Sequence, residues 1–265
     1  MRYLGVRLLA FFIIAFKMVV CTAQPIEVEN YKKYSGACLS SSQFFNPGTY
    51  SFDVKASNTS GVIFCAFLTD FEVNRSEDYL KHIELGFELV GESTDTIKCV
   101  AVLYGRKYHI EDVPLGFNAA ENFHNYKMIQ EKDTIKWLVD DKLVWTLSAD
   151  VAHQLLKPMR LFVNFRPAVS HCDIGYGWGC IRTATLPTFA YVKKFRYTRN
   201  TSLETNTNFK FNLFDKKCFA DRFRRLNSDL WQISAIDLIK GNKPLYKTQN
   251  VIFGKPFLKM VVNRD

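Results

Sequence analysis

A chain of 265 residues with 48% hydrophobic and 23% charged residues has globular composition. This excludes low-complexity disorder and collagen-like repeats, and the length suits one large domain or two small ones. The formal charge of +9 invites a nucleic-acid reading, but no nucleic-acid-binding motif accompanies it. Aromatic residues reach 15%, with 23 Phe, 12 Tyr and 4 Trp. That richness leans toward strands and suits sugar-stacking surfaces.

The chain starts with a secretory pattern. Arg2 and Arg7 precede the apolar run Leu8 to Phe16, and Cys21-Thr22-Ala23 offers small residues before Gln24. Lys17 interrupts the run, which argues for a cleaved signal over a membrane anchor. Residues 1–23 are therefore expected to be a signal peptide, and 24–265 a single domain. Cleavage leaves 242 of the 265 residues and, with Arg2, Arg7 and Lys17 gone, lowers the charge from +9 to +6. No later segment is long and apolar enough to span a membrane. The expected location is extracellular or cell wall.

Secretion sets how the cysteines are read. Cys38, Cys65, Cys99, Cys172, Cys180 and Cys218 remain after cleavage, an even number that predicts up to three disulfides of open pairing. Cys172 and Cys180 are spaced to close a small loop. A zinc site of His171 with those two cysteines matches no usual ligand spacing. No metal and no cofactor are expected. Sequons at Asn58, Asn74 and Asn200 are compatible with glycosylation.

Taken in chain order, the periodicity is that of strands. Thr49 to Lys55 alternates, and Gly61 to Phe67 is continuously apolar, like a strand covered on both faces. His82 to Val90, Thr134 to Val139, Met159 to Asn164 and Thr188 to Tyr197 alternate again. Turn signals at Asn46-Pro47-Gly48, Asp140-Asp141 and Arg166-Pro167 separate them. Asp150 to Leu156 is the only helical turn expected before residue 200. Many short strands with such turns predict an all-β sandwich or barrel. Residues 198–208 read as a polar linker or loop. Residues 209–265 are too few for an independent core and are expected to complete the sandwich. Within them Lys216, Lys217, Arg222, Arg224 and Arg225 form a basic cluster, read as a solvated face. A non-specific attraction to acidic wall polymers or membranes is the sharper alternative.

The informative segment is Glu84-Leu85-Gly86-Phe87-Glu88. On a strand, Glu84, Gly86 and Glu88 share one face while Leu85 and Phe87 take the other. The two glutamate Cα atoms are then roughly 13 Å apart. Side chains leaning together bring the carboxyl groups to about 5–5.5 Å, the separation of retaining glycosidases. One carboxylate attacks the anomeric carbon, and the other protonates the leaving oxygen and then activates water. Two glutamates at this spacing are also what a solvated strand face carries.

The stretch Glu84 to Gly91 (ELGFELVG) resembles glycoside hydrolase family 16, whose signature is Glu-x-Asp-x-Glu, a hydrophobic pair and Gly. The family contains lichenases, laminarinases and fungal cell-wall transglycosylases. Gly116 to Tyr126 looks like its Gly-Phe-x-Ala-x-x-x-Phe-His-x-Tyr, and Asp133 to Asp140 like its Asp-x-Ile-x-x-x-Val-Asp. Phe223 to Trp231 is similar in spacing to the family's opening Phe-Asp-x-Phe-Asp-x-x-x-Trp. The chain therefore resembles a circularly permuted member. The resemblance implies a two-sheet jelly-roll sandwich of the concanavalin A-like lectin/glucanase type. It also implies β-glucan or a related wall glycan as partner, Glu84 as nucleophile and Glu88 as acid/base.

The pattern departs from the family in several places. The central Asp is Gly86, which removes a hydrogen-bond partner and a charge that would raise the acid's pKa. His82 stands for an aromatic before the signature, Val100 and Val102 for Gln and Asn, and Arg166 for an aromatic. Trp178, with Tyr176 beside it, matches the Trp-x-Gly loop, and His82, Tyr176 and Trp178 are the candidate sugar contacts. The expected function is a secreted retaining glycosidase or transglycosylase on β-glucan. The alternative is a weak or inactive glucanase-like wall protein that binds carbohydrate.

Overall fold

The computed structural model describes residues 34–70, 83–104, 107–168, 172–173, 179–181, 185–203, 212–233 and 245–264. The first nine strands are β1 (Tyr34–Phe45), β2 (Gly48–Lys55), β3 (Val62–Thr69), β4 (Glu84–Val90), β5 (Thr96–Leu103), β6 (Lys107–Pro114), β7 (His124–Gln130), β8 (Ile135–Val139) and β9 (Lys142–Leu147). A single turn of helix, α1 (Ala149–Ala152), continues as a 3-10 turn over His153–Leu155, where Asp150 to Leu156 reads as helical. Then follow β10 (Met159–Pro167), the small pair β11 (Cys172–Asp173) and β12 (Gly179–Cys180), and β13 (Thr188–Arg199). The C-terminal strands are β14 (Cys218–Asp221), β15 (Trp231–Ile233), β16 (Leu245–Tyr246), β17 (Val251–Ile252) and β18 (Leu258–Arg264).

The strands form two layers. One runs β6-β5-β4-β3-β10-β1 and the other β18-β13-β2-β7-β8-β9, joined where β18 meets the start of β1. This is an antiparallel jelly-roll sandwich. Alternation places Phe52 and Val54 of β2, Phe87 of β4 and Tyr126 of β7 in the space between the layers. Phe87 stacks on Tyr126 at 5.3 Å and meets Phe52 at 6.0 Å, so its ring ties the layers together. Truncating a ring so enclosed costs roughly 3–5 kcal/mol. Trp137 of β8 crosses the core and donates its indole N–H to the Gly86 carbonyl at 2.8 Å.

Strand β3 explains the continuously apolar run. It lies between β4 and β10, and its outward residues are covered as well as its inward ones. Phe67 stacks on Phe162 at 5.3 Å, and Ile63 and Cys65 pack with Val90 and Ala168.

The C-terminal strands join both layers. β18 lies between β13 and β1, β14 pairs with β13, and β15 and β16 pair with β1. The described part of the expected linker or loop, residues 198–203, carries regular structure. β13 runs on to Arg199, and the Asn200 N–H and side-chain amide are fixed on the carbonyls of Pro47 and Gln130, both at 3.0 Å. A 3-10 turn follows at Thr201–Leu203. Asn58 is exposed, whereas the Asn200 amide that a glycan would occupy already donates this hydrogen bond. Asn74 and the signal segment lie outside the described residues.

Of the up to three disulfides expected, at most one remains, because four of the six cysteines are free. Cys38, Cys65 and Cys99 are free and buried, and Cys218 is free and exposed. The first three sit on β1, β3 and β5, each separated from the next by another strand. Alternate strands lie about 10 Å apart, beyond the roughly 7 Å that a bridge spans between Cα atoms. The register of β11 and β12 sets Cys172 opposite Cys180.

Candidate active site

Leu85, Phe87 and Leu89 of β4 are buried in the core, which turns Glu84, Gly86 and Glu88 together to the opposite face of the layer. Cross-strand pairing sets Thr69, Phe67 and Cys65 of β3 beside them on one side, and Val102, Val100 and Lys98 of β5 on the other. The next strand, β10, adds Phe162, Asn164 and Arg166 to the same face. Upstream, Asp70 accepts the Ile83 N–H at 2.9 Å and Lys157 at 2.6 Å, which fixes the entry of β4 just before Glu84. Glu84 and Glu88 project from one face of one strand.

Their surroundings differ from an open glycosidase cleft. Arg166 Nη2 lies 3.7 Å from Glu88 Oε1, with the two side chains only 14% and 13% exposed. The Cys65 thiol approaches the same oxygen at 3.7 Å. Burial first, and Glu88 second, push that thiol well above its ordinary pKa, so it stays protonated and donates. Burial works against the charge of Arg166, yet Cys65, Tyr246, Glu88 and Glu84 around it hold its pKa above the ordinary value. Lys98, opposite Glu88 in register, is tied to Asp112 at 2.6 Å.

Glu84 behaves differently. Burial and then the Glu88 carboxylate raise its pKa from 4.5 to about 7, against the pull of Arg166. A general acid requires such a raised pKa, while a nucleophile must be ionised. The family resemblance makes Glu84 the nucleophile and Glu88 the acid. In this chain the raised pKa falls on Glu84, and the guanidinium of Arg166 lies against Glu88.

The centre of the face is filled. A Cβ at Gly86 would lie 2.5 Å from Phe67 Cβ and 2.7 Å from the Ala66 carbonyl oxygen. Neither is the end of a flexible side chain, so no carboxylate fits between the glutamates without moving β3. The Phe67–Phe162 stack continues into Cys38 and Tyr246, the last carried in by β16, and Phe162, Cys38 and Tyr246 are buried. Asn164, 1% exposed and opposite Cys65 in register, has an Oδ1 without a hydrogen-bond partner among the described residues.

His82, Tyr176 and Trp178, the candidate sugar contacts, lie outside the described residues. Sequence reasoning missed Cys65 and Tyr246 as neighbours of the pair and saw Arg166 only as a misplaced aromatic. Only the pairing of β3 and β10 reveals what faces Glu88. Among the described residues there is no cluster of three His, Cys, Asp or Glu able to hold a metal, and no helix long and apolar enough to cross a membrane.

The two-layer antiparallel sandwich places the chain among the jelly rolls. The chain belongs to glycosyl hydrolases family 16, whose sequence profile matches residues 17–173. It is 24% identical over 168 residues to a beta-glucanase of Brevibacillus brevis, covering 63% of this chain and 61% of that protein. It is 29% identical over 143 residues to the endo-1,3-1,4-beta-glycanase ExoK of Rhizobium meliloti, covering 52% of this chain and 48% of that protein. The chain thus spans about half the length of the curated relatives it matches. The beta-glucanase of Bacillus licheniformis superposes with a TM-score of 0.53 at 22% identity, over 61% of this chain and 70% of that one. The Crh5 transglycosylase gives 0.51 at 24% identity, over 60% and 65%. These likenesses establish the sandwich fold.

Proposed function

We propose that this chain is a secreted, glucan-recognising member of its family whose hydrolytic centre is silenced. The carrying observation is the Arg166–Glu88 pair. A guanidinium against Glu88 engages one of the two carboxylates that a retaining mechanism needs free to act on the sugar. The closed space at Gly86 adds to this, because the aspartate that orients the pair in the family has nowhere to go. Family membership supports a polysaccharide ligand, and the N-terminal charged and apolar segments support secretion. The entry of β18 between β13 and β1 is consistent with a circularly permuted chain order. A bridge between Cys172 and Cys180 belongs to the same proposal.

A second reading, a slow retaining glycosidase or transglycosylase, is favoured by the pKa of about 7 at Glu84 beside a second carboxylate. One experiment separates the two. The purified chain is incubated with mixed-linkage, β-1,3- and β-1,6-glucans and chitin oligomers, then assayed for reducing ends and transfer products and for pull-down by insoluble glucan. Retention on glucan without new ends is expected, for the parent and for Gly86→Asp alike. New ends or transfer products abolished by Glu84→Gln would establish the second reading. Neither retention nor cleavage would overturn glucan recognition.

A further inference from the structure

The loop after β14 carries a basic cluster with a shape of its own. Phe219, Ala220, Asp221, Arg222 and Arg224 to Ser228 line a cleft of about 590 Å³. None of the residues of the Glu84–Glu88 face contributes to it. The loop is anchored at both ends. Phe223, with φ of 52°, is fully buried between two exposed arginines and packs on Trp231 at 5.6 Å. Asp221 accepts the Phe223 N–H at 2.7 Å and the Trp231 indole N–H at 2.9 Å. The N–H groups of Leu230 and Trp231 close on the Asn227 carbonyl at 3.1 and 2.8 Å.

With Phe223 turned inward, Arg222 and Arg224 turn outward, and Arg225 follows them. Among the described residues none of these three guanidiniums has an ion-pair or hydrogen-bond partner. The one carboxylate in the cleft is Asp221, and both of its oxygens already accept hydrogen bonds. A pinned loop thus presents three positive forks against a single engaged negative charge. Arginine pairs with carboxylate and sulfate in parallel two-point contacts, and a rigid loop reduces the entropy lost on binding.

We propose that this cleft is a second carbohydrate site, specific for an acidic polysaccharide whose sugars carry carboxylates or sulfates. A nucleic acid fits less well. Phe219 is the only lining aromatic, half-buried with Lys216 Nζ 5.8 Å above its ring, so the cleft lacks the stacking platform single strands use. A membrane surface fits less well too, since Leu226 is the only large exposed apolar side chain at the rim. The proposal goes beyond glucan recognition and does not depend on it.

The test is affinity electrophoresis of the full chain through gels containing polygalacturonate or neutral laminarin, at several salt concentrations. Retardation by polygalacturonate that weakens with salt is expected. Arg224→Ala with Arg225→Ala should reduce the affinity tenfold or more, while Lys142→Gln, at an exposed position on β9, leaves it unchanged. Both arginines are exposed, so a thermal melt matching the parent excludes misfolding, and Arg225→Glu in the parent background gives a second check by charge reversal. Absence of retardation, unchanged affinity in the double variant, or an equal loss from Lys216→Gln with Lys217→Gln would overturn the proposal. So would equally tight binding of single-stranded DNA at matched charge.

Discussion

Replacing Glu84 with glutamine tests the electrostatics of the carboxylate face directly. Glu84 holds its proton in the fold up to about pH 7, but in the unfolded chain only up to its ordinary 4.5. Between those values the unfolded state releases the proton first, so this residue lowers stability as pH rises and the loss levels off above 7. A shift of this size corresponds to about 3 kcal/mol at pH 8 and about 1 kcal/mol at pH 5. Glutamine keeps the shape and cannot ionise. The stability of Glu84→Gln relative to the parent should therefore rise by about 2.5 kcal/mol between pH 5 and pH 8. For a domain of this length that is a relative gain in Tm of about 5–10 °C. Paired thermal melts of both proteins across that range make the measurement. A Tm difference constant with pH would refute the reasoning, because Glu84 would then titrate alike in the folded and unfolded chains.

Arg166→Leu should destabilise the fold at pH 7 by about 3 kcal/mol in urea unfolding, since it leaves the mostly buried Glu88 without its counter-charge. Adding Glu88→Gln should recover much of that loss, and strictly additive effects would mean that the pair is not coupled. In native protein a thiol reagent should label Cys218 quickly and Cys38, Cys65 and Cys99 only on unfolding. Fast labelling that survives Cys218→Ser would place another thiol at the surface.

The alternation around Glu84 to Val90 was enough to put both glutamates on one strand face, and the short strands with their turn dipeptides were enough to mark an all-β sandwich or barrel. Both are local properties, set by the period-two geometry of a strand. Strands β14 to β18 add to both layers, as runs too short to fold alone must borrow a core. What faces Glu88 was not readable. Arg166 lies 78 residues from it along the chain and reaches it only because β3 pairs with β4 on one side and β10 on the other. The same register brings Phe67 against Gly86 and separates the cysteines by whole strands. Sequence thus determined which side chains share a face, since that depends on neighbours along one strand. Tertiary structure alone decided whether that face is charged and open or paired and filled, since that depends on which distant strands lie beside it.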